Sequence, residues 1–130
     1  MFPHGAQKVL GTSGGMGFTN TMHLFTSTLH IPVVFAFLAI LAEFAGSVGL
    51  VLGFLSRLCA LGITVNMVVA ILKVHAAYGF FMNWTGKQAG EGYEYHILAI
   101  GLGLVVLLQG GGKWSLDGFI TRALDRKSTA

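Results

Sequence analysis

The sequence predicts an all-α protein, an integral membrane bundle of antiparallel helices. Of its 130 residues, 54% are hydrophobic and only 10% are charged, and the mean hydropathy is +0.73; soluble domains rarely combine these values. Three long apolar runs occupy residues 32–54, 58–78 and 93–109. A helix rises about 1.5 Å per residue, so runs of about 20 residues can cross a hydrocarbon core about 30 Å thick. We therefore predict three full spans within a single domain covering residues 1–130.

The first run, PVVFAFLAILAEFAGSVGLVLGF, has one charged residue, Glu43, at its centre. A carboxylate at the bilayer centre costs about 3 kcal/mol on insertion scales, so it should face other helices or a wet cavity and find a partner. It could serve only to hydrogen-bond a neighbouring helix, or it could act directly in function. Small residues on the same helix would let a neighbouring helix approach closely. This helix-packing stripe comprises Ala42, Gly46, Gly49 and Gly53.

The second and third runs carry the other polar groups. The connection between the first two runs, Leu55 to Arg57, is so short that the second must return antiparallel beside the first. Helical periodicity places a small or polar face toward the bundle, formed by Cys59, Gly62, Asn66, Ala70, Lys73 and Ala77. His75 points almost opposite to Asn66 on that period. The third run is the shortest and has Glu94 and His96 at its mouth.

Basic residues predict the orientation of the bundle. The tail, residues 110–130, carries four basic side chains, and Arg57 lies in the first tight turn, so both are predicted to be cytoplasmic. Residues 79–92 contain a single Lys or Arg, Lys87, and it is close in sequence to the acidic Glu91. Three spans then place residues 1–31 outside, with Lys8 as their only Lys or Arg. An apolar stripe within residues 18–29 predicts a short amphipathic helix there. The tail is predicted to form another, fraying into solvent.

Six residues form the predicted polar pocket within the membrane: Glu43, Asn66, Lys73, His75, Glu94 and His96. Buried ionisable groups of this kind can relay protons, as a quinone-linked site would require. The structural alternative is that Lys73 neutralises Glu94 or Glu43 between helices. Lys73 could also extend outward to the headgroups and leave no site.

No metal site is predicted. His75 and His96 could in principle ligate a haem, but lone histidines near a membrane mouth are more often hydrogen-bonding residues. The single cysteine, Cys59, excludes an internal disulfide and is expected to pack as a small residue. The formal charge of +3 is weak evidence about partners, and the sequence has no nucleic-acid-binding signature.

Five stretches resemble the DoxX family of small bacterial membrane proteins. They are HGAQK at residues 4–8, LAEFAGSVGLVLGFLSR at 41–57, VHAAYGFF at 74–81, GYEYHIL at 92–98 and GGGKWSLDG at 110–118. The resemblance implies a four-helix bundle in the bacterial cytoplasmic (inner) membrane, with HGAQK following the first helix. Only three residues precede that motif here. We therefore expect an upstream segment to encode the first helix, which would bring both termini to the cytoplasmic side.

Two functions follow from this resemblance and remain open. One is an accessory subunit of a membrane-bound, quinone-linked oxidoreductase or oxidative-stress complex, with quinone as the candidate cofactor and membrane or peripheral redox proteins as partners. The other is a non-catalytic scaffold or small-molecule binder in the lipid bilayer, alone or as a homo-oligomer, whose buried charges only specify helix pairing. An aromatic-lined cavity joining Glu43 and Lys73 to the outer leaflet would favour the first, and a dry, closely paired contact the second.

Overall fold

A computed structural model describes residues 1–128, with side chains described through residue 125. Within that range the chain forms helices and turns and no β-strand. Six helices can be named in order. They are α1 (Phe2–Leu10), α2 (Gly17–His23, continued by a π-helical turn, Leu24–Thr28), α3 (Val33–Leu52), α4 (Ser56–Lys73), α5 (Glu94–Gln109) and α6 (Leu116–Ser128).

Two helices are long and apolar enough to cross a membrane, α3 with 20 residues and α4 with 18. The third apolar helix, α5, has 16 residues and falls below that length. The prediction of an all-helical protein is thus confirmed for the described residues, and α3 and α4 are long and apolar enough to span a membrane. The prediction of a third full span stays a prediction.

The α4 helix ends five residues earlier than the predicted run. Val74 leaves the helical region, with φ −129° and ψ −56°, and a short 3₁₀ turn follows over His75–Tyr78. This break turns the chain after Lys73 and changes the direction of every later side chain in the predicted run.

The helix α3 is interrupted in its middle by a π-helical turn, Ala42–Gly46, which contains Glu43. Such turns insert one extra residue into a helix and are frequent at functional sites. The nine-residue helix α1 packs against this turn, with Gly5 at the point of contact. A side-chain carbon at Gly5 would lie 2.6 Å from the Cα atom of Phe44, so only glycine permits this approach.

The small residues of α3 lie at helix contacts. Gly46 and Ala42 face Ile63 and Gly62 of α4, and a carbon added at Gly49 would lie 2.6 Å from the Cys59 sulfur. Gly53 ends the helix with φ 65°. The closely packed pair of α3 and α4 leaves only a three-residue turn between them, which makes them antiparallel neighbours.

The beginning of α6 is docked onto the turn between α3 and α4. The Asp117 backbone N–H donates to the Gly53 carbonyl at 2.9 Å, and the Asp117 carboxylate accepts hydrogen bonds from the Leu55 and Ser56 N–H groups, each at 2.8 Å. Asp117 thereby caps the N-terminus of α4, where unpaired N–H groups favour a negative charge. The first turn of α6 is therefore held in place; the fraying predicted for the tail beyond it stays a prediction.

This cap predicts an acid-dependent stability. The hydrogen bond from the Ser56 backbone N–H lowers the pKa of Asp117 below its usual value. A carboxylate with a lowered pKa contributes its stabilisation above its unfolded pKa and loses it as the pH falls through the folded value. We expect the melting temperature of the detergent-solubilised protein to fall on acidification and Asp117→Asn to reduce that acid-side dependence. Identical pH profiles for the two proteins would contradict the cap.

Candidate functional site

Glu43, the charge at the centre of α3, forms an ion pair with Lys8 at the end of α1. Glu43 is buried, with 4% of its surface exposed, whereas the Lys8 side chain is 29% exposed. The Lys8 ammonium also lies 5.7 Å from the centre of the Phe25 ring, within range of a cation–π attraction. The expected partner of Glu43 therefore comes from residues 1–31 and not from Lys73.

The local sequence explains why Lys8 reaches this depth. Gly5 lets α1 lie against the π-helical turn, and Lys8 lies one helical turn further on, on the same face. Thr21, which is almost fully buried, donates from its hydroxyl to the Lys8 carbonyl at 3.4 Å. The end of α1 is thus held between α2 and α3, and the lysine is directed at Glu43.

The predicted pairing of Lys73 with Glu94 or Glu43 is wrong. Glu43 is paired with Lys8 instead, and Lys73 is exposed at the last position of α4. Glu94 instead accepts a hydrogen bond from the Met82 backbone N–H at 3.3 Å. Because α4 ends at Lys73, the lysine does not pair with Glu94, and Glu94 contacts the loop before α5 instead. Asn66 does face α3, where its amide donates to the Ala39 carbonyl at 3.5 Å.

The imidazole rings of His75 and His96 pack against each other. Their ring centres lie 4.1 Å apart, with the rings tilted by 41°. His75 is held by a 2.7 Å hydrogen bond between its Nδ1 and the Glu91 carbonyl. The 3₁₀ turn that follows α4 directs His75 onto the start of α5, so its predicted orientation from an unbroken helix does not apply.

His96 is 8% exposed, and its Nδ1 atom is buried without a hydrogen-bond partner. Tyr95 packs edge-on to it at 6.0 Å, and His4 of α1 lies 6.4 Å from the Tyr95 ring. We call His4, His75, Tyr95 and His96 the histidine cluster; it lies where α1, the 3₁₀ turn after α4 and the start of α5 meet, and His4 lies on the same helix as Lys8.

Three members of this site were not predicted from the sequence: His4, Lys8 and Tyr95. A signal for the first two existed, since HGAQK places His4 and Lys8 four residues apart and Lys8 is the only basic residue of residues 1–31 besides histidine. A lone cation in a segment facing a buried carboxylate is a pairing candidate by charge alone. Tyr95 carried no such signal, because aromatic residues at the mouth of a span are also expected at the membrane interface.

A cavity of about 250 Å³ opens beside the site. It is lined by His4, Gln7, Lys8, Gly14, Gly15, Met16 and Thr21. Neither Glu43 nor Lys73 lines it, so it differs from the predicted aromatic-lined path between those two residues. The side chains that the structure describes, through residue 125, include no group of three or more metal-ligating residues placed to hold an ion.

A family model described as DoxX matches residues 1–76 of the chain. The chain belongs to the DoxX family. The match includes HGAQK, the Lys8–Glu43 pair and both candidate spans, whereas Tyr95 and His96 lie beyond it. No curated protein and no solved structure matched the chain. Family membership and the two apolar helices together identify a DoxX-like membrane protein that resides in a lipid bilayer.

Proposed function

We propose that this DoxX family protein is an accessory subunit of a membrane-bound, quinone-linked oxidoreductase of the bacterial inner membrane. The proposal assigns the quinone headgroup to the histidine cluster. The observation that carries it is the buried Nδ1 atom of His96, which has no hydrogen-bond partner among the described residues. A buried polar group without a hydrogen bond is costly, and an added hydrogen-bonding ligand would remove that cost.

The residues present suit such a headgroup. When bound, a quinone would accept two electrons from the redox partner and two protons through the surrounding groups. His96 can donate from or accept at its free nitrogen, depending on the tautomer. His75 keeps the facing ring in place through the Glu91 carbonyl. Lys8 lines the adjoining cavity, and its ammonium, although paired with Glu43, keeps N–H donors that a ligand oxygen could accept.

The test is the quinone content of protein purified in mild detergent. We expect quinone to co-purify with the unmodified protein and to fall about tenfold in His96→Phe, because one hydrogen bond to a buried group is lost. The matched control is His23→Phe, since His23 is exposed on α2 and outside the histidine cluster. Equal quinone in both variants, or none in the unmodified protein, would contradict the proposal.

A second function has its own supporting observation. The direct contact of Lys8 with buried Glu43 is the kind of close pair that specifies helix packing without chemistry. In that case the protein is a scaffold, alone or as a homo-oligomer, and its partners recognise its shape. Two results together would favour the scaffold function. No quinone co-purifies, and variants of Lys8 or Glu43 lower the recovery of partner proteins in proportion to their loss of stability.

A further inference from the structure

The C-terminal helix α6 presents an apolar stripe that the described part of the chain leaves uncovered. The large apolar side chains of the stripe are each between 44% and 68% exposed and recur at helical spacing: Leu116, Phe119, Ile120 and Leu124. Trp114, just before the helix, is fully exposed. Exposed stripes of this size, flanked by tryptophan, mark an interaction surface.

The position of α6 limits what can cover this stripe. The Asp117 hydrogen bonds fix its first turn against Gly53, Leu55 and Ser56, the turn that joins the two candidate spans. If α3 and α4 cross the bilayer, their connecting turn lies at its surface. The start of α6 therefore lies at the level of the lipid headgroups, where its stripe meets the boundary between headgroups and acyl chains.

The charges at this end of the molecule are mostly basic. Of the eight lysines and arginines in the sequence, five belong to it: Arg57, Lys113, Arg122, Arg126 and Lys127. Arg57 donates to the Leu108 carbonyl at 3.1 Å, and Arg122 to the Lys113 carbonyl at 2.8 Å. A guanidinium has five N–H donors, so one carbonyl does not exhaust either group. The Asp117 carboxylate, in contrast, already accepts two backbone hydrogen bonds.

A groove joins the basic and apolar features. Its volume is about 520 Å³, and it lies between the turn that precedes α4 and the first turns of α6. Arg57 and Asp117 line it together with the apolar side chains of Phe54, Leu58 and Ile120. Both carboxylate oxygens of Asp117 are already engaged by the Leu55 and Ser56 N–H groups, which leaves Arg57 to face a ligand. An anionic headgroup at Arg57 with an acyl chain along the apolar side chains would match this arrangement.

We propose that α6, with Trp114 and Arg57, forms an in-plane surface that binds anionic phospholipids. The apolar stripe enters the headgroup–acyl boundary, and the basic side chains select negatively charged headgroups. Lipid is the expected occupant because the surface is continuous with the membrane spans and its charge is complementary to anionic lipid. This surface is separate from the proposed quinone site, since the histidine cluster is built from α1, the 3₁₀ turn after α4 and the start of α5.

The chain's two tryptophans provide the test. Trp84→Phe leaves Trp114 as the only reporter, and Trp114→Phe leaves Trp84, which is 83% exposed in the loop before α5. Each full-length protein is reconstituted into bilayers of phosphatidylcholine and phosphatidylglycerol. In one set the acyl chains of phosphatidylglycerol are brominated, and in the other those of phosphatidylcholine, so quenching reports which lipid touches each tryptophan.

We expect Trp114 fluorescence to be quenched more strongly by brominated phosphatidylglycerol than by brominated phosphatidylcholine at equal mole fraction. Each basic residue near an anionic surface contributes about 1 kcal/mol, so replacing Lys113 and Arg122 by glutamine should lower the selectivity about fivefold per residue. The matched control is Lys87→Gln, an exposed lysine in the loop that Trp84 reports. It should leave the Trp114 selectivity unchanged.

Three results would overturn the proposal. If Trp114 is quenched by neither lipid, the stripe lies outside the bilayer and is free for a protein partner. If both lipids quench it equally in the Trp84→Phe protein with its basic residues intact, the stripe inserts but the basic residues do not select. If Lys87→Gln lowers the selectivity as much as Lys113→Gln with Arg122→Gln, overall charge accounts for the effect. Circular dichroism of each variant confirms that the helices are retained.

Discussion

Lys8→Met is expected to destabilise the protein by about 2 to 4 kcal/mol, because it leaves the Glu43 carboxylate buried without its cation. Glu43→Gln should cost less. Lys8 is 29% exposed at its side chain and can extend toward more polar surroundings when its partner is gone, whereas Glu43, at 5%, cannot. The measurement is the free energy of unfolding in mixed detergent micelles for each single variant and for the double variant.

The double variant, Lys8→Met with Glu43→Gln, should cost less than the sum of the singles, because neither charge is then left unpaired. Lys87→Met serves as the control for removing a lysine and should leave stability unchanged, since Lys87 is exposed and makes no ion pair in the described structure. Strictly additive losses would mean that Lys8 and Glu43 do not interact.

Glu43→Lys tests the same contact by charge reversal. The new ammonium, on the π-helical turn, would lie opposite that of Lys8 on α1, so two like charges would be buried together. We expect much lower membrane levels and a lower melting temperature than for Glu43→Gln, which keeps the shape and a hydrogen-bonding oxygen. Equal levels and melting temperatures for the two variants would contradict the pairing.

The long apolar helices could be predicted from sequence because twenty consecutive apolar residues have few alternatives to spanning a bilayer. The need of Glu43 for a partner was equally predictable, since an unpaired carboxylate at that depth is expensive. The identity of the partner was not. Lys8 precedes the apolar runs, and the periodicity of the spans carries no information about a short helix that packs against them from outside.

The contact between His75 and His96 shows a second limit of prediction from helical periodicity. Both His75 and His96 were identified, but helical periodicity placed His75 away from the bundle. A single residue outside the helical region, Val74, ends α4 and returns the ring to α5. Helix ends are set by local backbone geometry within one or two residues, and a period drawn through the end misplaces everything beyond it.

The π-helical turn of α3 depends on a glycine as much as on charge. Gly5→Ala should destabilise the protein by about 2 to 3 kcal/mol, because the added carbon would lie 2.6 to 2.7 Å from backbone atoms of Glu43 and Phe44. Backbone cannot yield as a flexible side chain does, so α1 must move away from α3. Lys8 would then be withdrawn from Glu43.

Gly101→Ala is the matched control, since nothing lies within 4 Å of the position of the added carbon on α5. It should leave stability unchanged or raise it by up to about 1 kcal/mol through higher helix propensity. The Gly5→Ala loss should also be smaller in a Lys8→Met, Glu43→Gln background, where no ion pair remains to be separated. If that background leaves the Gly5→Ala loss unchanged, the glycine contact and the ion pair are independent. A loss at Gly101 equal to that at Gly5 would instead mean that close packing at α1 has no special part in holding the site together.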